Sequence, residues 1–306
     1  MACTSADATN SRGRVLLLGA YGYLGAILSP VIEQFGFEVI RQGRSTDAQL
    51  PLEPTDARAL DEAVKKTRPD FIVNLVAATN VDECEADPAL ADRVNVGVVR
   101  NIAEVAGNPG IRFIQISTDQ VYNGPGPHVE NDVDPVNIYA RTKLLGEQEA
   151  TAVGALILRT NIVGPALHPD RVSFSDWLIG QLQAERPLTL FTDVLFSPLE
   201  ALDLARLIAH AIDSKLSGTF NLGSRDGLSK ADFGLGLATE LGLENANIRL
   251  GKVADAGLKA PRPTDMRMNC SKFQTETGIE LPTIAETIRR TARRHSAAYN
   301  LGNAKA

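Results

Sequence analysis

A tyrosine, a lysine and a threonine are spaced in this 306-residue chain in a way that suits the reduction of a carbonyl group. Tyr139 and Lys143 are four residues apart, so on a helix they share one face. A nearby ammonium favours an ionised phenol, and we expect Lys143 to lower the pKa of Tyr139 from its usual value near ~10. Such a tyrosine would donate a proton to a carbonyl oxygen that receives a hydride. Thr118, at the carboxyl end of a predicted strand, would hydrogen-bond the same oxygen.

A glycine-rich turn near the start of the chain strengthens this interpretation. A Tyr-x-x-x-Lys pair alone is more often a solvated helix face, but here a G-x-x-G-x-x-G pattern directly follows the apolar run 15–18. Glycines at this spacing allow a tight turn and let the backbone approach a pyrophosphate at a helix N-terminus. The sequence therefore predicts dinucleotide binding, and the residues expected to contact the cofactor are Gly19, Gly22, Tyr23, Leu24 and Gly25.

The end of the second predicted strand bears on the choice of cofactor. A site that prefers NAD usually carries Asp or Glu there, but this chain has Arg41, Gln42, Gly43 and Arg44. The guanidinium of Arg44 would pair with a 2′-phosphate, which favours NADPH, with NADH as the alternative. Two solvated surface arginines are the competing interpretation. Further segments expected near the cofactor are Glu53-Pro54 and Ala77-Ala78-Thr79.

The elements that must position these residues alternate along the first half of the chain. Short apolar runs, typical of strands buried on both faces, alternate with helical segments and predict an α/β fold with a doubly wound parallel sheet. We expect a disordered polar tail at 1–12, a dinucleotide-binding domain at 13–163 and a smaller, mostly helical lobe at 164–306. The segment 219–222 of that lobe is expected to return to the sheet as a strand.

Composition excludes several classes of protein. Hydrophobic residues make up 44% of the chain and charged residues 22%, values of an ordinary globular protein. The net charge of −6 argues against nucleic acid as a partner. Three scattered cysteines predict neither a disulfide framework nor a zinc site, and no metal constellation is evident. With no apolar run of ~20 residues and a polar N-terminus, we expect a cytoplasmic protein without a membrane partner.

Further motifs in register along nearly the whole chain resemble those of the extended short-chain dehydrogenase/reductase superfamily. Within it, the sequence is most similar to the dTDP-4-dehydrorhamnose reductase family, and the G-x-x-G-x-x-G spacing suits this class. The segments that carry the likeness are 19–25, 68–85, 117–124, 130–143, 158–160, 260–263 and 269–273.

The resemblance implies a Rossmann-type sheet, a substrate-binding lobe and a reductase that uses NAD(P)H to convert a nucleotide-linked 4-keto-6-deoxy sugar to the hydroxy sugar. On that analogy Tyr139 is the general acid, Lys143 orients the nicotinamide ribose and Thr118 positions the keto group. By the same analogy we expect a homodimer. The residues expected on the substrate side are Asp119, Asn161 and Arg262.

Two positions depart from the family pattern. Asn161 stands where the family usually has an aromatic residue, and Val194 stands where it commonly has glutamine. Both are expected to lie toward the substrate, so the identity of the sugar stays open.

Two other functions remain as alternatives. A sugar-nucleotide epimerase or dehydratase of the same superfamily would need further acid–base groups, and no Asp–Glu pair stands beside Thr118, because Asp119 is followed by Gln120. A non-catalytic regulatory subunit would keep the fold and an NADP pocket without turnover. Oxidation of the cofactor would oppose this second alternative, and a change in stability that depends on a partner protein would favour it.

Overall fold

The computed structural model describes residues 11–107, 110–167, 171–243 and 247–303. Most of the tail predicted at 1–12 lies outside the described residues, but its last two positions are included. Arg12 is held in place there, since its guanidinium contacts the carboxylate of Asp213 at 2.5 Å and its backbone N–H donates to the carbonyl of Gly36 at 2.9 Å.

Strands and helices alternate through the first half of the chain, as predicted. The strands are β1 (Arg14–Leu18), β2 (Glu38–Gly43), β3 (Leu50–Pro51), β4 (Phe71–Asn74), β5 (Arg112–Thr118), β6 (Leu156–Thr160), β7 (Ile162–Val163), β8 (Leu188–Phe191), β9 (Leu195–Phe196), β10 (Leu199–Glu200), β11 (Gly218–Leu222), β12 (Leu228–Ser229) and β13 (Ile248–Gly251). The helices are α1 (Tyr23–Gln34), α2 (Ala57–Thr67), α3 (Val81–Ala86), α4 (Pro88–Asp92), α5 (Val98–Ala106), α6 (Ile138–Thr151), α7 (Phe174–Gln183), α8 (Ala201–Ala211), α9 (Lys230–Leu241), α10 (Ser271–Thr277) and α11 (Ile284–Asn303).

Seven parallel strands form the central sheet in the order β11-β6-β5-β4-β1-β2-β3. The strand order reverses between β1 and β4, which is where the ligand crevice of a doubly wound sheet opens, outside the carboxyl ends of the strands. The predicted doubly wound parallel sheet is therefore confirmed. The carboxyl ends of β1, β2, β4 and β5 all meet at this edge, so the glycine turn and Thr118 follow neighbouring strands.

Helices cover both faces of the sheet, which explains the wholly apolar strands. Leu17 of β1 belongs to the cluster built with α1 and α8, whereas Leu16 and Leu18 belong to the cluster built with α2 and α5. All three side chains are fully buried. Successive side chains of a strand point to opposite faces of the sheet, so a strand that is buried on both faces consists almost entirely of apolar residues. The sequence of β1 shows this continuous apolar run.

The helical segment between β4 and β5 is interrupted. Residues 88–92 form α4, a π-helical turn follows at Arg93–Gly97, and α5 begins at Val98. The strand β4 ends at Asn74, so the segment 75–80 is a loop at the carboxyl edge of the sheet.

The second half of the chain divides between the sheet and a separate core. As predicted, a segment around 219–222 returns to the sheet, since β11 pairs in parallel with β6. The preceding helix α8 packs on α1. The helix α8 and the strand β11 therefore belong structurally to the first part of the molecule. The remaining lobe has its own apolar core, to which α7, α9, α11 and β8 contribute. It also holds two small sheets, β8 with β13 and β9 with β12.

We predict that Phe220→Ala, in the returning strand, lowers the free energy of unfolding by about 3–5 kcal/mol. Phe220 is fully buried and meets the ring of Phe273 edge to face, with ring centroids 6.3 Å apart, so truncation leaves a cavity. Urea denaturation followed by circular dichroism measures the change. Leu250→Ala is the control, since Leu250 is 60% exposed and its loss should alter stability by about 0.5 kcal/mol or less. Equal effects of the two substitutions would contradict the prediction.

Candidate active site

The three residues predicted to be catalytic meet at the carboxyl end of β5. Thr118 is the last residue of β5, and Tyr139 and Lys143 lie on the first two turns of α6. All three are buried. Asn137 fixes the start of α6, because its side chain accepts the N–H of Ala140 at 2.8 Å and its Nδ2 donates to the carbonyl of Pro261 at 3.0 Å.

The protonation of Tyr139 differs from the sequence prediction. Burial raises the pKa of Tyr139 to about 12, and a hydrogen bond with Thr118 opposes this only in part. The predicted lowering of this pKa by Lys143 is therefore wrong. The physical reason is that desolvation of the phenol dominates, while the Lys143 ammonium is directed elsewhere: its Nζ donates to the carbonyl of Ile116 at 2.9 Å.

Lys143 is itself affected by burial. Desolvation lowers the pKa of Lys143 to about 8, and the nearby charge of Glu147 acts in the opposite direction. Glu147 lies one helical turn further along α6, so the two side chains share a face. The i,i+4 spacing is a sequence signal that would have identified Glu147 as the counter-charge of this lysine.

Glu147 is held by a buried network behind the site. Arg159 Nη2 contacts Glu147 Oε2 at 2.5 Å, and the Ser117 hydroxyl donates to Glu147 Oε1 at 2.5 Å. Arg159 Nη1 also donates to the hydroxyl of Tyr122 at 2.7 Å. A buried carboxylate needs such partners, since its desolvation would otherwise cost several kcal/mol.

The glycine turn has the geometry of an anion site. Gly22 caps α1 without a side-chain hydrogen bond, and no acidic residue lies in the first turn of this 12-residue helix. The first N–H groups of a helix have no partner within it and attract negative charge. A Cβ on Gly25 would lie 2.3 Å from the carbonyl oxygen of Gly19, so only glycine permits this turn. The residues present therefore fit a dinucleotide pyrophosphate.

Residues of the glycine turn form hydrogen bonds with segments outside the turn. Tyr23 Oη donates to the carbonyl of Gly164 at 2.8 Å, so the predicted cofactor contact of Tyr23 would be made by its backbone. Gln42 was missed by sequence reasoning: its Oε1 accepts the N–H of Gly19 at 2.8 Å and its Nε2 donates to the carbonyl of Leu52 at 2.6 Å. This buried amide ties β2 and the segment after β3 to the glycine turn.

The two arginines at the end of β2 differ in their surroundings. Arg41 Nη2 contacts Glu33 Oε1 at 2.6 Å. Arg44 is exposed, and within the part of the chain that the structure describes its side chain makes no ion pair or hydrogen bond. Glu53 is also exposed, whereas Pro54 is buried and its carbonyl accepts the Nδ2 of Asn101 at 3.0 Å. Arg44 is thus the guanidinium available to a ligand.

The loop with Ala77, Ala78 and Thr79 is connected to α6 through hydrogen bonds of Asn95. Asn95, in the π-helical turn, accepts the N–H of Ala78 at 2.9 Å and donates from Nδ2 to the hydroxyl of Thr142 at 3.0 Å. A Cβ on Gly146 would lie 2.3 Å from the Asn95 carbonyl oxygen, so the close approach of α6 requires glycine there. Local π-helical turns are frequent at functional sites.

The residues expected on the substrate side are only partly brought together. Asn161 Nδ2 donates to Asp119 Oδ2 at 2.7 Å, beside Thr118. Arg262 is engaged with other groups, since its Nη2 lies 3.1 Å from Asp82 Oδ1 and its Nη1 donates to the carbonyl of Ala260 at 2.8 Å. The expectation that Val194 faces the substrate is wrong, because its side chain is 2% exposed and packs into the core of the second lobe.

A lysine that sequence reasoning missed completes this group of charges. Lys230, the first residue of α9, interacts electrostatically with both Asp119 and Arg262. No sequence signal connects it with Asp119, since the two residues are far apart in the chain and come together only through the packing of the lobe.

Across 11–107, 110–167, 171–243 and 247–303, no group of three or more His, Cys, Asp or Glu side chains is arranged to hold a metal ion. Within the same residues, no helix combines the length and apolar character needed to cross a membrane.

Comparisons with known proteins find similarity over most of the chain. The family model described as the RmlD substrate binding domain matches residues 13–296. The probable low-salt glycan biosynthesis reductase Agl14 of Haloferax volcanii is 31% identical over 282 residues, which are 88% of this chain and 94% of that protein. The dTDP-4-dehydrorhamnose reductase of Escherichia coli is 30% identical over 283 residues, 88% of this chain and 93% of that protein.

A solved structure agrees with the fold. The crystal structure of dTDP-4-dehydrorhamnose reductase from Bacillus anthracis in complex with NADP superposes with a TM-score of 0.83. The alignment covers 91% of this chain and 98% of that chain at 24% identity. At this level of identity the likeness concerns the architecture, a parallel sheet flanked by helices with a second lobe.

We predict that Asp119→Asn stabilises the protein, and by more at pH 8 than at pH 5. Burial raises the pKa of Asp119 to about 6, above the ~3.9 of an unfolded chain, so the native state loses stability as pH rises through this interval. The introduced asparagine carries no charge, so the variant does not lose stability in this way as pH rises. The gain in the free energy of unfolding should therefore be larger at pH 8 than at pH 5 by on the order of 1 kcal/mol.

Urea denaturation at pH 5 and pH 8 measures both values. Asp47→Asn is the control, because Asp47 is exposed. A gain for Asp119→Asn that is the same at both pH values, or a loss at pH 8, would contradict the prediction.

Proposed function

The chain belongs to the RmlD substrate binding domain family, and we propose that it is an NADPH-dependent reductase of nucleotide-linked 4-keto-6-deoxy sugars. The observation that carries this proposal is the convergence of Thr118, Tyr139 and Lys143 at the sheet edge that also bears the glycine turn. A proton donor and a hydroxyl for a carbonyl oxygen thus share one edge with an anion site that fits a dinucleotide. The names of the family relatives support the same reaction class.

Tyr139 is the proton donor in this proposal. NADPH, when bound, supplies the hydride to the carbonyl carbon. The hydroxyl of Tyr139 then gives its proton to the carbonyl oxygen, which becomes the new hydroxyl of the sugar. A pKa of about 12 keeps the phenol protonated at neutral pH, which is the state that reduction requires. Thr118, hydrogen-bonded to Tyr139, positions the carbonyl oxygen.

Lys143 acts through its charge and its position. Its Nζ is held at the carbonyl of Ile116, on the strand that ends at Thr118, and an ammonium with three donors keeps further N–H groups for a ligand. By analogy with the family it also orients the nicotinamide ribose. Glu147 opposes the effect of burial on Lys143 and thereby favours the ammonium form.

The preference for NADPH rests on Arg44. This exposed guanidinium stands at the end of β2, where a site that prefers NADH usually carries a carboxylate. A planar guanidinium suits phosphate oxygens, so Arg44 would contact the 2′-phosphate. Arg41 is less suited to this role because it pairs with Glu33.

The sugar would lie beside Asp119 and Asn161. These two side chains are hydrogen-bonded to each other next to Thr118 and would present polar groups to the sugar. Asn161 stands where the family usually has an aromatic residue. Arg262 would approach the diphosphate of the substrate from its position near Asp82. A homodimer stays a prediction.

The alternatives are less well supported. An epimerase or dehydratase needs a second acid–base pair, but the residue after Asp119 is Gln120, whose amide does not exchange protons in this way. A non-catalytic subunit does not require Thr118, Tyr139 and Lys143 to be buried together.

The direct test is the absorbance of the reduced nicotinamide when the protein meets NADPH or NADH and a panel of nucleotide-linked 4-keto-6-deoxy sugars. We expect NADPH to be oxidised with at least one member of the panel. A protein that binds NADPH and oxidises it with none would contradict the proposed reaction.

We predict that Tyr139→Phe lowers kcat by about 10²–10⁴-fold, because the proton donor is lost. The dissociation constant for NADPH, measured by fluorescence titration, should change no more than a few-fold, since the ring and its packing remain. Loss of NADPH binding in this variant would instead indicate a structural role for Tyr139.

We also predict that Arg44→Ala weakens NADPH binding by about tenfold and leaves NADH binding nearly unchanged, because only NADPH carries the 2′-phosphate. Both dissociation constants are measured by the same titration. Arg58→Ala is the matched control, since Arg58 is exposed on α2 and pairs with Glu62 at 2.9 Å, away from β2. An equal loss for both cofactors would exclude the contact with the phosphate.

A further inference from the structure

The backbone around Lys230 is fixed by its neighbours. Its N–H donates to the carbonyl of Val194 at 2.8 Å. Ser229 caps α9 by accepting the N–H of Asp232 at 3.0 Å, and β12, which ends at Ser229, pairs with β9. The backbone position of Lys230 is therefore fixed by a helix cap and a strand pair. Rigid elements of this kind hold a binding residue in place.

The ammonium of Lys230 lies over aromatic rings and remains free to donate. Nζ is 5.1 Å from the ring centroid of Phe174 and 5.9 Å from that of Phe196, distances at which a ring face attracts a cation. Lys230 is only partly buried, and among the residues the structure describes its Nζ has no hydrogen-bond acceptor. All three N–H donors of the ammonium are thus available to a ligand.

Asp119 offers the complementary acceptors. One of its oxygens accepts from Asn161 Nδ2 at 2.7 Å and the other from the Thr118 hydroxyl at 3.3 Å. A carboxylate has about four acceptor positions, so two remain. Asp119 and Lys230 influence each other's charge, although no direct hydrogen bond joins them. A ligand group that both donates and accepts would connect the two side chains.

A hydroxyl group meets this requirement better than a phosphate does. A hydroxyl accepts one hydrogen bond from an ammonium while donating its own proton to a carboxylate. A phosphate beside Lys230 would lie near the negative charge of Asp119, which repels it. Arg262, the other cation that acts on Lys230, is already paired with Asp82 and so offsets this repulsion less. Because Asp119 directly follows Thr118, the hydroxyl in question lies near the carbonyl that Thr118 positions.

We propose that Lys230 and Asp119 together bind a sugar hydroxyl adjacent to the keto carbon, so that Lys230 is a residue of substrate specificity. The inference rests on the proposed function, since it assumes a nucleotide-linked sugar at this site. It assigns to the second lobe a recognition contact with the sugar ring.

The test is isothermal titration of the protein loaded with NADP⁺. The probes are dTDP, UDP and GDP and their 6-deoxyhexose conjugates, and the pair that the wild-type protein binds is used. For Lys230→Met we expect the nucleoside diphosphate to bind within about twofold of wild type and the sugar conjugate to bind about 10–100-fold more weakly. A conjugate that lacks the hydroxyl next to C4 should bind the wild type and the variant alike.

Lys272→Met is the matched control. Lys272 also lies over a phenylalanine ring, with Nζ 4.2 Å from the centroid of Phe220, but it is exposed and donates to the carbonyl of Thr219. We expect wild-type affinities for it. If Lys230→Met does not fold, as judged by its Tm, Lys230→Gln gives the same comparison while keeping an N–H donor, and an intermediate loss is expected.

Three outcomes would overturn the inference. Sugar-conjugate affinity within twofold of wild type would remove Lys230 from recognition. An equal loss for the diphosphate and its conjugate would indicate a phosphate contact instead. A wild-type protein that binds NADP⁺ but none of the conjugates would overturn the proposed function and this inference with it, and the wild-type titration alone reveals that case.

Discussion

The buried ion pair between Glu147 and Arg159 links α6 to the rest of the molecule. Glu147 projects from α6 one turn after Lys143, and Arg159 comes from β6 in the central sheet. From Arg159 the hydrogen bonds continue to Tyr122 and then to Asn221 in the returning strand β11. Two desolvated charges contribute little net stability, but such a pair tolerates few alternative arrangements. Its effect is to fix how α6, β6 and β11 sit relative to one another, and with them the position of Lys143.

Burial also determines the protonation of the site. The pKa of Tyr139 rises to about 12 because its phenol is desolvated, so the phenol is protonated at neutral pH. The same effect raises the pKa of Asp119 to about 6 and lowers that of Lys143 to about 8. At neutral pH the phenol of Tyr139 is therefore neutral, whereas Asp119 and Lys143 are mostly charged. Charges on the cofactor and substrate then act in a medium where electrostatic interactions are strong.

The two parts of the molecule divide recognition between them. The sheet edge supplies the glycine turn, Gln42 and the three residues proposed to be catalytic, which in the proposed function bind the cofactor and the keto group. The second lobe supplies Lys230 and the aromatic rings beneath it, which in the proposed function contact the sugar. Asn161 stands at the boundary, where its bond to Asp119 replaces the ring expected from the family pattern. On this proposal, sugar specificity would depend on the lobe and the reduction on the sheet edge.

Local patterns in the sequence were enough to predict the doubly wound sheet, the glycine turn and the Tyr139–Lys143 pair. The apolar runs of strands, the geometry of turns and the i,i+4 spacing on a helix depend on residues that are close in the sequence. They can therefore be predicted from the order of residue types. The sequence alone did not reveal Gln42, Asn95 or Lys230, because each acts on residues that only the packing of distant segments brings near. It also misjudged the pKa of Tyr139 and the place of Val194. Both depend on which atoms exclude water from a side chain, and that is decided only when the sheet, α6 and the second lobe have come together.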